Sequence, residues 1–276
     1  IPESEIEQLQ VITGGIEAQY GDVTGGVISI TTKGPSNKFS GGFEVESSEL
    51  TDPYNQRLFG FNLSGPILKR RNEDGSKGRS ILGFRLAGRF TDQLDDDPPA
   101  TEIFRVRPEV LADLQANPLV RVGDNDFVAA DFLTDEDVEI LDFQPNERFE
   151  RYDLTAKIDA RLSDAIDITL TGQYNDISNA FTPGQGSRTQ ANWRLLNTQN
   201  NPTSQNLNYR GNFRFRHRLG SNSGDEESKG SVIQNASYTL QFGYERRESS
   251  LADPRHGDNL FDYGYVGNFG VAWRPS

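Results

Sequence analysis

The chain has 276 residues, a formal net charge of −13, two histidines, and neither cysteine nor methionine. Its mean hydropathy of −0.65 excludes membrane-spanning helices, because each of these needs about 20 consecutive apolar residues. Without cysteine the chain has no disulfides or thiolate metal sites, and its two histidines disfavour imidazole-based catalysis. The acidic balance argues against a nucleic-acid partner, which requires a basic face.

The first 36 residues differ from the rest of the chain. Glu3–Gln10 is compatible with the start of a short acidic helix or with a strand lead-in. Residues 11–32 are rich in glycine and end in a β-branched run at 27–32, which favours a strand. Lys33-Gly34-Pro35-Ser36 has the composition of a linker. We therefore expect a small compact element at 1–36 and a separate domain at 37–276.

Apolar and polar residues alternate with a period of two through most of the remaining chain. The pattern is clearest from Tyr152 to Leu162, where every second residue is apolar and those between are charged or carry a hydroxyl. About eight such segments predict antiparallel strands. The connections between them are 47–56, 68–80, 91–149, 163–165, 176–206, 220–231 and 247–265. The sequence therefore predicts an all-β fold.

The predicted strands are long, and each has one polar face. Many have about ten or more residues, whereas strands of globular domains have about 5–6 and strands of membrane barrels about 9–11. Arg210, Arg214 and Arg216 share one face of one strand, and unpaired guanidinium groups are costly to bury in a sandwich core. A water-filled lumen accommodates them, so the pattern favours an antiparallel transmembrane β-barrel.

The lengths of the connections also favour a barrel. The second, fourth and sixth are short and the third, fifth and seventh are longer, with the first as an exception. Outer-membrane barrels alternate short periplasmic turns with long extracellular loops, so 91–149, 176–206 and 247–265 are predicted to be extracellular. Within the longest loop we predict a helix at 108–114 and a helical turn that starts near Thr134, with Asp137 as its capping partner.

One stretch of the first segment resembles a known family. Residues 6–33 are similar to the end of the plug domain of TonB-dependent outer-membrane receptors. The positions that we assign to this structural motif are Gly15, Ala18, Tyr20, Gly21, Gly25 and Gly26. Two shorter stretches, 61–67 and 263–267, resemble the branch of that family with a carboxypeptidase-regulatory-like N-terminal domain, which is close to the SusC-like importers.

The resemblance implies an architecture for the chain. Residues 1–36 would be the end of a plug domain with its linker, and 37–276 about eight N-terminal strands of a larger barrel. The chain begins at Ile1 without an initiator Met, and we expect it to be a fragment whose sheet has open edges. The whole protein would then lie in the outer membrane of a Gram-negative bacterium.

The resemblance also implies a function and a set of partners. The whole protein would import a glycan, a peptide or a metal chelate, with outer-membrane lipid and the TonB complex as partners. A surface lipoprotein or another outer-membrane subunit is a further possible partner, and no enzymatic activity is expected. An accessory role without transport is one alternative, and a soluble β-rich adhesin is another.

Three arginines are candidates for a binding role. Arg210, Arg214 and Arg216 are predicted to face the lumen, where they either contact an anionic solute or pair with plug carboxylates. Glu17 and Asp22 are two such carboxylates in the predicted plug segment. No residue of the chain has the surroundings of a catalytic group.

The remaining candidates for ligand or metal binding are acidic loops, two histidines and three aromatic residues. Acidic stretches at 92–97, 124–126 and 135–142 contain ligands that suit Ca²⁺, but a solvated loop is the simpler interpretation, so no cofactor is expected. His256 is predicted to lie in an exposed loop, and His217 on the apolar face near a strand end. The aromatic residues, which either stack on a ligand or belong to a membrane girdle, are Trp193, Tyr263 and Tyr265.

Overall fold

The structure is a computed structural model that describes residues 6–14, 25–32, 37–71, 75, 77–183, 188–219 and 236–253. The strands are β1 (Ile6–Ile12), β2 (Val27–Thr32), β3 (Ser40–Ser47), β4 (Arg57–Arg71), β5 (Lys77–Gln93), β6 (Ile103–Val106), β7 (Leu119–Val122), β8 (Asn125–Val128), β9 (Val138–Leu141), β10 (Phe149–Arg161), β11 (Ile166–Ala180), β12 (Thr203–Leu219) and β13 (Ala236–Ala252). The α-helices are α1 (Pro108–Ala116) and α2 (Arg188–Leu196). The prediction of an antiparallel all-β fold is confirmed.

The chain divides into two compact units. The first comprises Ile1–Gln93, Glu150–Ile177 and Asn206–Ser249, and the second comprises Leu94–Phe149, Ser178–Gln205 and Ser250–Ser276. The second unit is therefore assembled from three separate stretches of chain, and these stretches fall within or close to the three long connections that the sequence indicates.

A seven-stranded sheet dominates the first unit. Its strand order is β13-β12-β11-β10-β5-β4-β3, so strands that follow one another along the sheet-forming chain are neighbours in space. The β3–β4 and β4–β5 ladders are antiparallel. Six of the seven strands are 13 to 17 residues long. The eighth predicted strand, near residues 266–275, lies outside the described residues.

The turn between β10 and β11 shows why this hairpin forms. The backbone N–H of Leu162 donates to the carbonyl oxygen of Ile166 at 3.0 Å. Between them, the Ser163 hydroxyl accepts hydrogen bonds from the backbone N–H groups of Ala165 and Ile166 at 3.2 and 3.1 Å. Such a serine satisfies the turn's own backbone, and the predicted tight turn is confirmed.

The β4–β5 hairpin is longer than predicted. The sequence indicates a connection at 68–80, but β4 continues to Arg71 and β5 begins at Lys77. The register shifts between Pro66 and Arg71, so the alternation that identifies a strand is interrupted there. The polar ends of both strands pair in the ladder although no period of two reveals them.

The sheet exposes its apolar face and buries part of its polar face. On β10, Asp153 and Thr155 are each only 6% exposed, whereas Tyr152 and Leu154 are 44% and 43% exposed. Other exposed apolar side chains on the same face are Phe43, Val45, Phe59, Leu63, Leu86, Leu170, Phe213, Leu240 and Phe242. This arrangement is the reverse of that in a soluble antiparallel sheet, which packs its apolar face on a core.

A two-stranded sheet precedes the seven-stranded one in the chain. Strand β1 pairs with β2 in an antiparallel ladder that brings Val11 opposite Ile28. Of the two interpretations of Glu3–Gln10, the helix is wrong for the described residues, because the chain is extended from Ile6 onwards. Alternation of Leu9 and Val11 with polar residues favours the strand that is observed.

The second unit contains two short hairpin-like ladders and both helices. Strand β6 pairs with β9, and the ion pair between Arg105 and Glu139 joins registered partners at 2.6 Å. Helix α1 begins at Pro108, as predicted, because proline is favoured at the first helical position. The turn at Asp135–Asp137 is also confirmed. Thr134 donates both its backbone N–H and its hydroxyl to the Asp137 carboxylate, each at 2.8 Å.

Gly88 generates a prediction about the exposed apolar face. A Cβ atom at Gly88 would overlap the Phe61 ring and lie 2.8 Å from the Leu154 side chain, so both apolar groups would have to move. We expect Gly88→Ala to lower the free energy of unfolding by about 1–3 kcal/mol. Denaturant titration followed by far-UV circular dichroism measures this change.

Gly172 provides the matched control. It lies on the same face of the sheet in β11, and a Cβ atom there has no neighbour within 4 Å. Gly172→Ala should therefore leave the unfolding midpoint within experimental error of the parent chain or raise it slightly. Equal losses of stability in the two variants would contradict the packing that the structure shows.

Candidate functional site

The polar face of the seven-stranded sheet brings together most of the charged side chains of β10 to β13. Alternate residues of a strand point to one side, so Arg151, Asp153 and Lys157 share this face with residues of the neighbouring strands. The predicted candidates Arg210, Arg214 and Arg216 lie on the same face of β12, as their spacing of two requires. This face is the candidate functional site.

The middle of this face is held by an ion pair within β10 and by contacts between neighbouring strands. Arg151 contacts the Asp153 carboxylate at 2.7 Å, and the Asn175 amide donates to the same carboxylate at 2.8 Å. Arg210 pairs with Glu245 of β13 at 3.1 Å. A cleft of about 180 Å³ lies between these groups. Cross-strand pairs of opposite charge stabilise a sheet, and here they also keep the polar face ordered.

A second, larger cleft lies near the β10–β11 turn. It has a volume of about 320 Å³, and Lys157, Arg161, Arg214 and Arg216 are among its lining residues. Asp159 and Asp167 are its acidic lining residues. This part of the face is therefore basic, although the whole chain carries a net charge of −13.

Hydrogen bonds connect the groups of this larger cleft. Arg161 and Arg218 both contact Asp167, at 3.3 and 2.6 Å. The Thr169 hydroxyl donates to Asp159 at 2.6 Å and accepts from Arg214 at 3.4 Å. Asp167 thus pairs with two guanidinium groups. Arg214, by contrast, is connected to the Asp159 carboxylate only through the Thr169 hydroxyl.

The structure separates the three predicted arginines by their partners. Arg210 has a carboxylate partner within the sheet, Glu245, and its pairing with plug carboxylates stays a prediction. Arg214 and Arg216 have no carboxylate within ion-pair distance among the described residues. Glu17 and Asp22 lie outside the described residues.

Part of the plug-end motif lies within the described residues. Gly25 and Gly26 directly precede β2, and a Cβ atom at Gly26 would lie 3.1 Å from the carbonyl oxygen of Ile12. Gly26 thus permits the close approach of β1 and β2 at the end of their ladder. Gly15, Ala18, Tyr20 and Gly21 lie outside the described residues, so their roles stay predictions.

A buried polar cluster organises the second unit, and no sequence pattern predicts it. Asp95 is fully buried and accepts hydrogen bonds from the backbone N–H groups of Gln144 at 2.8 Å and Asp97 at 3.1 Å. Thr182 donates its hydroxyl to the buried carboxylate of Glu147. The contacts of Gln144 with Asp95 and of Thr182 with Glu147 join residues 49 and 35 positions apart in the chain.

Asn201 extends this cluster towards α2. Its side-chain amide donates to the carbonyl oxygen of Asn146 at 3.0 Å, and its carboxamide oxygen accepts the indole N–H of Trp193 at 2.7 Å. Trp193 therefore serves the packing of the second unit through its N–H group. The other two aromatic candidates, Tyr263 and Tyr265, lie outside the described residues, as does His256.

The acidic stretches do not behave as a single solvated surface. Asp96 and Asp97 are exposed, but Asp92 and Asp95 are 6% and 0% exposed, so the prediction of a solvated loop at 92–97 is wrong for these two residues. Burial is possible because Asp95 accepts backbone hydrogen bonds that compensate its charge. Among the residues that the structure describes, no three carboxylates or imidazoles converge on a metal-sized space.

His217 lies on the apolar face of β12, as predicted. Its Nδ1 atom is 3.1 Å from the Tyr238 hydroxyl of β13, and the two rings meet edge to face with centroids 5.3 Å apart. This contact pairs Nδ1 of His217 with the Tyr238 hydroxyl on an otherwise apolar face. His217 therefore takes no part in the polar site.

Among known proteins, the chain is similar to several solved structures. No family model and no curated protein matches the chain, and none of its described helices is long and apolar enough to cross a membrane. Among solved structures, the siderophore receptor PirA from Acinetobacter baumannii matches 89% of this chain and 32% of its own, at 15% identity and a TM-score of 0.40.

Two structures of the ferric enterobactin receptor PfeA from Pseudomonas aeruginosa are similar to the same extent. One mutant matches 92% of this chain at 17% identity with a TM-score of 0.40. Another, in complex with enterobactin, matches 91% at 17% identity with a TM-score of 0.39. The chain spans about a third of the length of these receptors, 37% in both PfeA structures.

The buried carboxyl group of Glu147 makes the second unit sensitive to pH. Burial raises its pKa above the ordinary value of 4.5; the Asp95 carboxylate adds to this effect, and Thr182 and Arg194 oppose it. The folded unit therefore binds the proton more tightly than the unfolded chain. The contribution of this group to the stability of the unit is fully present below pH 4.5 and is lost as the pH rises through the elevated pKa.

Two substitutions test this assignment. Glu147→Gln keeps an acceptor for Thr182 and removes the buried charge, so protection of 94–149 and 178–205 from amide hydrogen exchange at pH 7 should equal or exceed that of the parent chain. Glu147→Ala removes the acceptor of the buried Thr182 hydroxyl, which keeps only a 3.4 Å contact with the Asn201 amide, and should destabilise the unit by about 1–3 kcal/mol. Mass spectrometry, corrected for intrinsic exchange rates, measures both. Faster exchange in Glu147→Gln than in the parent chain would contradict the assignment.

Proposed function

We propose that this chain is part of an outer-membrane receptor that imports a nutrient with energy supplied through TonB. The observation that supports the proposal most directly is the reversed polarity of the seven-stranded sheet. Its apolar side chains are exposed along strands of 13 to 17 residues, and its polar side chains are paired across the opposite face.

The exposed apolar face matches the chemistry of lipid. Phe242 and Leu240 are 69% and 61% exposed, and similar residues continue across all seven strands. Monomeric soluble proteins rarely expose contiguous apolar patches of more than a few hundred Å². A strand of 15 residues is about 50 Å long, which suffices to cross a bilayer at the tilt of about 45° that membrane barrels have. We therefore assign this face to the hydrocarbon of the membrane.

Aromatic rings cross the apolar face at one level and fit a membrane girdle. Phe59 is the registered partner of Phe90, whose ring centroid is 4.7 Å from that of Tyr152. The rings of Tyr174 and Tyr209 are 5.4 Å apart. Aromatic residues concentrate where a barrel meets the membrane–water interface.

The polar face suits a water-filled or plugged lumen. Its charged groups form ion pairs and hydrogen bonds in a layer that stays partly accessible to water. The two clefts described above, one beside Arg210 and one near the β10–β11 turn, illustrate this. Within the proposed architecture, residues 1–36 are the end of the plug and the remaining residues are the first part of the barrel. The second unit then supplies the extracellular loops.

The proposed substrate classes are those that the sequence resemblance implies: a glycan, a peptide or a metal chelate. Transport would require partners that include lipid, the TonB complex and, in the SusC-like branch, a surface lipoprotein. An accessory role in an outer-membrane assembly is the second candidate, because the same sheet would serve it equally well. Neither role involves catalysis by this chain.

Labelling at two adjacent residues tests the membrane assignment. The chain has no cysteine, so a single introduced cysteine carries a fluorophore at one defined position. Leu240 and Gln241 are neighbours in β13 and both are exposed, but they point to opposite faces. In vesicles, the label on Leu240→Cys should be quenched by spin-labelled lipid, and the label on Gln241→Cys by aqueous iodide.

The pair of positions serves as its own control. Both residues have the same depth along the strand, so a difference in quenching reports only the face. Strong iodide quenching at both positions, without quenching by lipid, would refute the membrane assignment and favour the soluble alternative.

Energy-dependent uptake distinguishes a transporter from an accessory subunit. Cells that express the whole protein should accumulate a radiolabelled glycan, peptide or metal chelate only when TonB is present and the inner membrane is energised. Unchanged uptake after deletion of the gene, together with a stable stoichiometric complex with another outer-membrane protein, would instead support the accessory role.

A further inference from the structure

We infer that the cleft near the β10–β11 turn is a binding site for an oxyanion, a carboxylate or phosphate group held by Arg214 and Arg216. The cleft is formed by residues of the first unit alone. The inference therefore does not depend on whether the whole protein transports a nutrient.

The charge of the cleft is the first argument. Lys157, Arg161, Arg214 and Arg216 line it together with only two carboxylates, those of Asp159 and Asp167. The lining thus has an excess of two positive charges in a chain whose net charge is −13. A concave polar surface with such an excess attracts anions from solution.

The distribution of partners is the second argument. Asp167 is shared by Arg161 and by Arg218, which lies next to the cleft. Asp159 lies 3.7 Å from the Lys157 ammonium and accepts the Thr169 hydroxyl. Oδ2 of Asp159 accepts no hydrogen bond from the described residues, but neither carboxylate lies within ion-pair distance of Arg214 or Arg216.

The two remaining guanidinium groups have their donors available. Arg214 makes a single hydrogen bond of 3.4 Å to Thr169, which is long for a charged donor. Arg216 forms no hydrogen bond or ion pair with the residues that the structure describes, and it is exposed. Each guanidinium carries five N–H donors.

Their spacing suits one shared ligand group. Arg214 and Arg216 are two residues apart on one strand, so their Cα atoms are about 7 Å apart and their side chains rise on the same face. Two guanidinium groups at this separation can contact different oxygen atoms of one carboxylate or phosphate. Arginine forms such forked contacts with planar or tetrahedral oxyanions better than lysine does.

The oxyanion has two possible sources: a dissolved solute, or an acidic side chain of the protein itself. Titration calorimetry at low salt, with inorganic phosphate, succinate and the neutral analogue succinamide as probes, distinguishes them. If the source is a solute, the purified chain in detergent binds phosphate or succinate but not succinamide. Arg216→Gln should then weaken binding by about tenfold or more, the usual consequence of losing a charge-assisted contact.

Matched variants separate local contact from general charge. Arg246 lies on the opposite face of the sheet in β13 and pairs with Glu248 at 2.5 Å, so Arg246→Gln removes the same charge away from the cleft. It should change the affinity less than twofold. Arg216→Lys keeps the charge but loses the planar fork, and its affinity should lie between those of the parent chain and Arg216→Gln.

If the source is the protein itself, the parent chain binds neither probe. The combined variant Glu17→Gln and Asp22→Asn should then acquire phosphate or succinate binding, and adding Arg216→Gln should abolish it again. Both patterns support an oxyanion site. Binding that is unaffected by Arg216→Gln overturns it. So does the absence of binding in every variant when circular dichroism shows that all of them are folded.

Discussion

A sheet that exposes its apolar face has to satisfy its polar side chains across neighbouring strands, and this constraint governs the first unit. Asp153, Asp159 and Asp167 all lie on β10 or β11, and each contacts a cation or an amide on its own or an adjacent strand. Hydrogen bonds to charged groups stabilise more than neutral ones. The ordered polar face therefore contributes to the stability that an apolar core supplies in a sandwich.

The same constraint shows where basic side chains of the polar face have no acidic partner among the described residues. In the middle of the face the guanidinium groups have carboxylate partners, because Arg151 contacts Asp153, and Arg210 and Arg247 share Glu245. Towards the β10–β11 turn, five basic side chains share two carboxylates, so pairing within the sheet is incomplete. A network that satisfies most of its members but not Arg214 and Arg216 is better explained by a ligand for those two than by stability alone.

Much of the first unit was predictable because its signals are local. Period-two alternation depends only on the direction of adjacent side chains, and it predicts β10, β11, the turn between them and the shared face of Arg210, Arg214 and Arg216. Strand ends were less predictable. Beyond Ile67 the alternation is interrupted while the backbone ladder to β5 continues. The strands therefore extend further than the alternation of their side chains indicates.

The second unit was predictable only in its local elements. Proline at the start of α1 and the Thr134–Asp137 capping interaction are contained within a few residues, and both are confirmed. The cluster around Asp95 and Glu147 joins residues that are dozens of positions apart, and a lone acidic residue in a loop gives no indication that it will be buried. Composition alone favours solvation for such a residue, since burial becomes favourable only once its hydrogen-bond donors are in place.

The buried cluster also explains how long connections hold a defined conformation with few apolar contacts. Among the described residues, the buried apolar side chains of the second unit are those of Ile103, Val106 and Ala129, too few for a substantial core. Hydrogen bonds are directional, so Glu147 with Thr182, and Asn201 with Asn146 and Trp193, specify one arrangement of chain where apolar contacts would permit several. Because the Glu147 carboxyl is stabilised in its protonated form, that arrangement becomes less stable as the pH rises. A loop unit organised in this way is ordered by a small number of directional contacts, and Glu147 couples one of them to the pH of the solvent.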